Sequence, residues 1–152
     1  MNEPKNSSGG WDGYRTFCVE RKEPESLTVT SFYLTAKDGR PLASYKPGQF
    51  LGFKLDVPGY ETPVLRTYTI SDSLGDATLY RLSIKREPPP ADQSDAPPGV
   101  SSNYFHDHVE VGTALEVRAP SGDFFLHEDR DGGELGPVAL LSGGVGLTPM
   151  IS

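Results

Sequence analysis

Arg66, Tyr68 and Thr69 are the residues of this sequence best suited to chemistry, in the run Arg66-Thr67-Tyr68-Thr69-Ile70-Ser71. On a strand, residues two apart project from the same face, so Arg66 and Tyr68 share a surface. A guanidinium fork there can hold a phosphate, and a flat ring beside it can back another flat ring. The neighbouring Thr69 hydroxyl, where the strand bends, is within reach of a ring nitrogen as donor or acceptor. An anion clamp next to an aromatic wall is what a flavin nucleotide requires. An Arg-x-Tyr on a half-exposed strand is usually plain surface, so the reading depends on what surrounds it.

Three further segments supply that context. Tyr45-Lys46-Pro47-Gly48-Gln49-Phe50-Leu51 is a turn entering a strand. Leu82-Ser83-Ile84-Lys85-Arg86 is followed by a proline-rich loop and then Gly99-Val100-Ser101-Ser102-Asn103-Tyr104-Phe105-His106. Gly143-Gly144-Val145-Gly146-Leu147-Thr148-Pro149 comes last. A glycine turn running into a serine-rich helix start leaves backbone N–H groups unpaired, with the positive dipole end behind them, and that is an anion site. The final glycine run is not a Walker loop, because no Gly-Lys-Ser/Thr follows it. It also differs from the six-residue dinucleotide fingerprint.

In this order and spacing the chain resembles the ferredoxin–NADP reductase superfamily, from about residue 10 to residue 152. It looks closest to the reductase portion of flavohaemoglobins and to flavin reductases fused to iron–sulfur domains. The resemblance implies that FAD is held by Phe50, Arg66, Thr67, Tyr68, Thr69, Leu82, Ser83, Ile84, Lys85, Gly99, Val100, Ser101 and Ser102. Thr69 takes the catalytic place, near the flavin N5. Leu82 to Lys85 are expected to contribute mainly backbone along the ring edge. Phe50 departs from the family, which commonly carries Tyr there; Phe keeps the apolar wall and loses the hydroxyl. Gly144, Val145, Gly146, Leu147, Thr148 and Pro149 would hold the nicotinamide nucleotide. The implied function is hydride transfer from NADH or NADPH to FAD, with electrons passed on to a haem or [2Fe–2S] acceptor. FMN in place of FAD, a flavin-binding regulatory module without hydride transfer, and a barrel that binds no flavin stand as alternatives.

The remaining sequence must position these residues. Its 152 residues include 17 glycines and 14 prolines, which favours an all-β domain rich in turns over a helical bundle. The expected fold is a six-stranded antiparallel Greek-key barrel, closed to remove its edges, with one short helix. Strands are expected at residues 14–22, 27–36, 50–57, 64–70, 79–86 and 114–119, with a turn at residues 23–26. The helix is expected at Ser101–Val109, with serines capping its start. The loop 87–98 holds five prolines and suits neither a strand nor a helix. Residues 1–10 read as a disordered arm, 11–136 as the barrel, and 129–134 as a polar linker within it. Residues 137–152 read as the truncated start of an α/β nucleotide-binding domain, with Val138-Ala139-Leu140-Leu141 as its buried first strand.

Bulk properties narrow the function further. The net charge of −7 argues against a nucleic-acid partner. The single cysteine, Cys18, rules out an internal disulfide framework and a thiolate cage. His106 and His108, two apart on a helix, point away from each other, so no metal site is expected. No apolar run reaches the length of a membrane span, and the polar opening residues do not make a secretory signal, so a cytoplasmic location is expected.

Overall fold

Alternating apolar residues in five of the runs above set a two-residue period, and a sheet with one buried face is the result. The computed structural model describes residues 10–72, 78–92, 95–126, 137 and 139–151. Its strands are β1 (Arg15–Pro24), β2 (Val29–Ala36), β3 (Phe50–Leu55), β4 (Val64–Thr69), β5 (Tyr80–Lys85) and β6 (Ala114–Ser121). They form one antiparallel sheet in the order β4-β3-β6-β1-β2-β5, with β6 inserted between β3 and β1 as a Greek key requires. In β5, Tyr80, Leu82 and Ile84 are buried, while Arg81, Ser83 and Lys85 face outward. The core gathers Phe17, Val19, Phe32, Leu34, Leu51, Phe53, Leu55, Ile70, Leu82, Ile84, Leu115 and Val117. The buried phenols are satisfied: Tyr80 donates to the Ala43 carbonyl at 2.7 Å and Tyr45 to that of Asp72 at 2.9 Å.

The sheet is not closed. The outer strands β4 and β5 meet only past the end of β4, where Ile70 bridges Leu82 and the Ser71 N–H donates to the Arg81 carbonyl at 2.8 Å. Along Val64–Thr69 the two edges are not paired, and helix α1 (Val100–His108) packs through Phe105 against Tyr68 of β4. Phe105 of α1 is fully buried, and its ring meets Phe32, Phe53 and Tyr68 edge-on at 5.2–5.5 Å between centroids. The barrel therefore stays open on the side where the Arg66–Thr69 wall lies.

Several boundaries differ from expectation for identifiable reasons. β1 runs through Pro24, where a turn was expected, and Pro24 pairs with Thr30. Strand β6 pairs only Arg15–Cys18 of β1, and backbone bonds to Thr113 and Gly112 extend this to Val19, so the β1 edge from Glu20 onward has no strand paired on that side among the described residues and tolerates proline. β6 passes through Pro120 to Ser121 rather than ending at Ala119. The pairing with β3 slips between Phe50 and Gly52, and this bulge accommodates the proline. The expected strand at 138–141 is absent from its described part. Ala139–Gly143 form no strand, and Leu140 and Leu141 are 50% and 89% exposed. Among the described residues no parallel strand lies beside that run, and an unpaired strand is not stable on its own. A 3-10 turn, Gly144–Leu147, and helix α2, Thr148–Ile151, follow, with Pro149 in the first turn of α2. The arm at 1–9, the linker at 129–134 and Val138 lie outside the described residues.

Candidate functional site

Where β4 and β5 part, a cleft of about 540 Å³ opens. One wall is Arg66, Thr67, Tyr68 and Thr69, and the other is Ser83, Ile84 and Lys85. Its floor is the start of α1, from Gly99 to Ser102. Val145, Gly146, Thr148 and Pro149 form the rim. Most of the residues singled out from sequence thus converge on one opening. Three groups do not. Leu82 is fully buried and offers the cleft no side chain. Phe50 lies in a neighbouring hollow with Trp11, Gly52, Arg118 and Pro120, separated from the cleft by Thr67, which lines both. Its ring presses on Gly122, where an added Cβ would stand 2.7 Å from the ring edge, so the position is held for packing. Gly144 and Leu147 also lie outside the lining.

Tyr68 is fixed rather than free. Its hydroxyl donates to Ser101 Oγ at 2.9 Å, and its ring stands edge-on to Phe53 and Phe105. Burial pushes its pKa up, against smaller opposing effects from the Ser101 bond and the Arg66 charge, so the phenol stays protonated at neutral pH. Arg66 is exposed; one of its guanidinium nitrogens donates to the Leu65 carbonyl at 2.7 Å. Among the described residues it forms no ion pair. That leaves most of a planar donor fork open to the cleft.

The helix start differs from the expected serine cap. Gly99 is the N-cap and no side chain caps the helix. Ser101 Oγ is taken by Tyr68, and Ser102 Oγ donates to the Gly99 carbonyl while accepting from the Glu87 N–H, both at 3.3 Å. Among the described residues the N–H groups of Val100, Ser101 and Ser102 are therefore left without a helical or side-chain acceptor, and these three residues line the cleft. An uncapped helix start leaves more donors open to an anion than a capped one. Gly99 is required by closeness, since an added Cβ would lie 2.7 Å from Ser102 Oγ and 2.9 Å from Glu87 Cβ.

Sequence reading missed the parts that hold this geometry. Arg86, just after β5, grips Asp107 through two bonds of 2.6 and 3.1 Å and also donates to Asn103 Oδ1 at 3.1 Å. Asn103 Nδ2 donates to the carbonyls of Gly99 at 2.6 Å and Glu87 at 2.9 Å. His106 Nε2 donates to the Ile84 carbonyl at 2.9 Å, which leaves Nδ1 to accept from Thr30 at 3.4 Å. His108 stacks on Tyr104. The end of β5 and the start of α1 are thus bound into one unit. Glu87 was missed too: it lines the cleft and pairs with Lys85 at 3.0 Å. Its only sequence signal is its place between a Lys-Arg pair and a proline run.

The domain family described as "Oxidoreductase FAD-binding domain" matches residues 16–126, which span every strand and the helix that line this cleft. The chain belongs to that family. It is 47% identical over 150 residues to a flavohemoprotein of Halalkalibacterium halodurans, a match covering 99% of this chain and 34% of the relative. The flavohem-like FAD/NAD binding domain of a nitric oxide dioxygenase from Vibrio cholerae superposes with a TM-score of 0.77 at 40% identity, over 91% of this chain and 54% of that one. Phthalate dioxygenase reductase, described as modular for electron transfer from pyridine nucleotides to [2Fe–2S], gives 0.63 at 25% identity over 92% of this chain and 38% of that one. The chain spans about a third of the length of the curated relatives it matches. The chain is thus an FAD-binding oxidoreductase domain of ferredoxin reductase-like fold. No helix among the described residues is long and apolar enough to cross a membrane.

Proposed function

We propose that this chain holds FAD in the β4–β5 cleft and serves an NAD(P)H-dependent oxidoreductase that delivers electrons to a haem or [2Fe–2S] acceptor. The carrying observation is the cleft itself, where an arginine without an ion-pair partner among the described residues, a fixed tyrosine ring and an uncapped helix start line one opening. These donors fit FAD. Arg66 and the N–H groups of Val100, Ser101 and Ser102 would bind the pyrophosphate, Tyr68 would back the ring system, and Thr69 would face the reacting edge. FAD, when bound, supplies the hydride acceptor and the one-electron chemistry. The chain's part is to fix orientation: Phe105 and Ser101 lock Tyr68, and Arg86, Asn103 and His106 lock the anion site against the wall. Val145, Gly146, Thr148 and Pro149 on the rim are where a nicotinamide nucleotide would approach. We assign residues 11–136 to the FAD barrel and 137–152 to the start of a nucleotide-binding domain, with a cytoplasmic location for the whole.

The named activities of the relatives support this reading: the curated matches are flavohemoproteins, and phthalate dioxygenase reductase passes electrons to [2Fe–2S]. The test is the visible spectrum of the purified chain and chromatography of what it releases on denaturation. Yellow protein releasing FAD is expected. Colourless protein that takes up no added flavin overturns the proposal, and release of FMN shifts it to the shorter nucleotide.

A further inference from the structure

A row of hydroxyls leaves the cleft by a route that none of its binding roles uses. Ser83 of β5 lines the cleft, and its Oγ lies 2.9 Å from Ser71 Oγ and 3.2 Å from Ser31 Oγ of β2. Ser31 Oγ donates onward to Glu25 Oε1 at 2.7 Å. Ser31 and Ser71 are buried, while Glu25 reaches solvent with 40% of its side chain exposed. Building on the FAD reading, we propose that Ser83, Ser31 and Glu25 form a proton exit from the cleft.

The direction of the row follows from its protons. Bonds from Ser31 and Arg81 hold the Glu25 carboxyl below the usual carboxylate range, so at neutral pH it is ionised and only accepts. The single Ser31 proton is thus committed to Glu25, and Arg81 Nε donates to Ser31 Oγ at 3.1 Å. Toward Ser83 the Ser31 oxygen can only accept, so Ser83 donates to it. Ser71 in turn donates to Ser83, the shorter of its two contacts, the other being the Arg81 carbonyl at 3.3 Å. Each hydroxyl points toward Glu25, and such a chain is polarised along its length. A proton taken up at Ser83 leaves at Glu25 when each bond shifts by one place. Arg81 keeps the proton affinity of Glu25 low, so the proton passes on to water.

The proposed reaction requires an exit. A hydride from NAD(P)H carries one proton and two electrons; when both electrons leave singly for a haem or [2Fe–2S] acceptor, the proton stays behind. Ser83 stands at the Thr69 end of the cleft, where Ile70 bridges Leu82. The one carboxylate in the cleft lining, Glu87, is paired with Lys85 and sits against Gly99, beside the proposed phosphate site.

Stopped-flow mixing of the photoreduced, FAD-loaded chain with ferricyanide tests this, with flavin absorbance following electron loss and an indicator dye following proton release. The two should keep pace in the unsubstituted chain. Ser31→Ala and Glu25→Gln should keep FAD affinity, since neither residue lines the cleft, and should delay proton release behind electron loss at least about tenfold. Ser31→Thr, which keeps the hydroxyl, should restore the pace. In the flavin-free chain the Ser83 hydroxyl proton should give an NMR resonance that moves as Glu25 is titrated with acid; a resonance that stays put breaks the row whether or not the variants fold. Unchanged proton release in both variants, or a delay that Ser31→Thr does not relieve, would each overturn the exit while leaving FAD binding intact. An unsubstituted chain that takes up no FAD brings down the exit together with the reading beneath it.

Discussion

Arg66 and Gly48 show how differently two residues of the same motif set can act. Arg66 is exposed and without an ion-pair partner among the described residues, so its removal costs the fold little. Its proposed partner is phosphate. Arg66→Ala should therefore weaken FAD by about 1.5–3 kcal/mol, one to two decades of affinity, while riboflavin binding stays nearly constant. Equal losses in the two fluorescence titrations would show that Arg66 does not touch phosphate. Gly48 is the reverse case. It has a φ of +95°, and an added Cβ would lie against the Phe124 carbonyl oxygen. Gln49 beside it donates to the Gly122 carbonyl at 3.1 Å, and its backbone carbonyl accepts from the Ile70 N–H at 3.0 Å. The Pro-Gly-Gln turn thus anchors the end of β4 and does not itself reach the cleft. Gly48→Ala should lower stability by at least about 1–3 kcal/mol from backbone strain alone, read as a lower melting temperature. Unchanged melting would mean that the loop carrying Phe124 can move aside.

The unit of β5 and α1 decides whether the proposed anion site stays opposite the proposed flavin wall. Phe105 joins β2, β3 and β4 to the helix through three aromatic contacts, so Phe105→Ala should cost about 3–5 kcal/mol and release Tyr68 from its fixed place. Flavin affinity should fall with it; a stable variant with full affinity would separate the helix from the site. The Arg86–Asp107 pair adds a pH dependence. The Arg86 hydrogen bond holds the Asp107 carboxyl below the usual carboxylate range. A lowered folded-state pKa contributes stability above the ordinary aspartate pKa, and that contribution is lost as pH falls through the depressed value. Glu25, bonded by Ser31 and Arg81, and Asp38, bonded by Arg15, are lowered in the same direction. Stability should therefore drop below about pH 4. Asp107→Asn should shallow that drop in circular-dichroism titrations, and an unaltered acid profile would remove the pair from the account. At this scale the limits of the sequence are also plain. β5 was legible because its alternation reflects burial on one face. The site wall was legible because Arg66, Tyr68 and Thr69 lie close together in sequence. Pro24 and Pro120 inside strands were not, since only the partner strands show that an open edge or a bulge is available. Asn103 and Glu87 were not either, because their roles come from contacts across loop 87–98, and the serine cap failed because Gly99 holds the N-cap position and Ser101 and Ser102 lie inside the first turn.

For the whole molecule, the open side of the barrel is balanced by an apolar liability at the far end of the chain. Val138–Leu141 read as a strand to be buried on both faces, yet Leu140 and Leu141 stand exposed, and Leu147 is 47% exposed nearby. Contiguous exposed apolar residues and unpaired backbone groups favour pairing with another chain. The six strands and α1 all lie before Gly136, and so do both proposed walls of the FAD cleft. Only the rim formed by Val145, Gly146, Thr148 and Pro149 lies beyond it. A chain ending at Gly136 should therefore scatter less light at equal concentration than one ending at Ser152. It should retain FAD with an affinity within about threefold, since no proposed phosphate or ring contact is removed, and threefold is under 1 kcal/mol. Flavin titration and light scattering on the two lengths check both parts together. If the shorter chain aggregates more, the terminal segment covers part of the barrel. If it no longer binds FAD, the rim supplies contacts that the cofactor needs, and the boundary at residue 136 is misplaced.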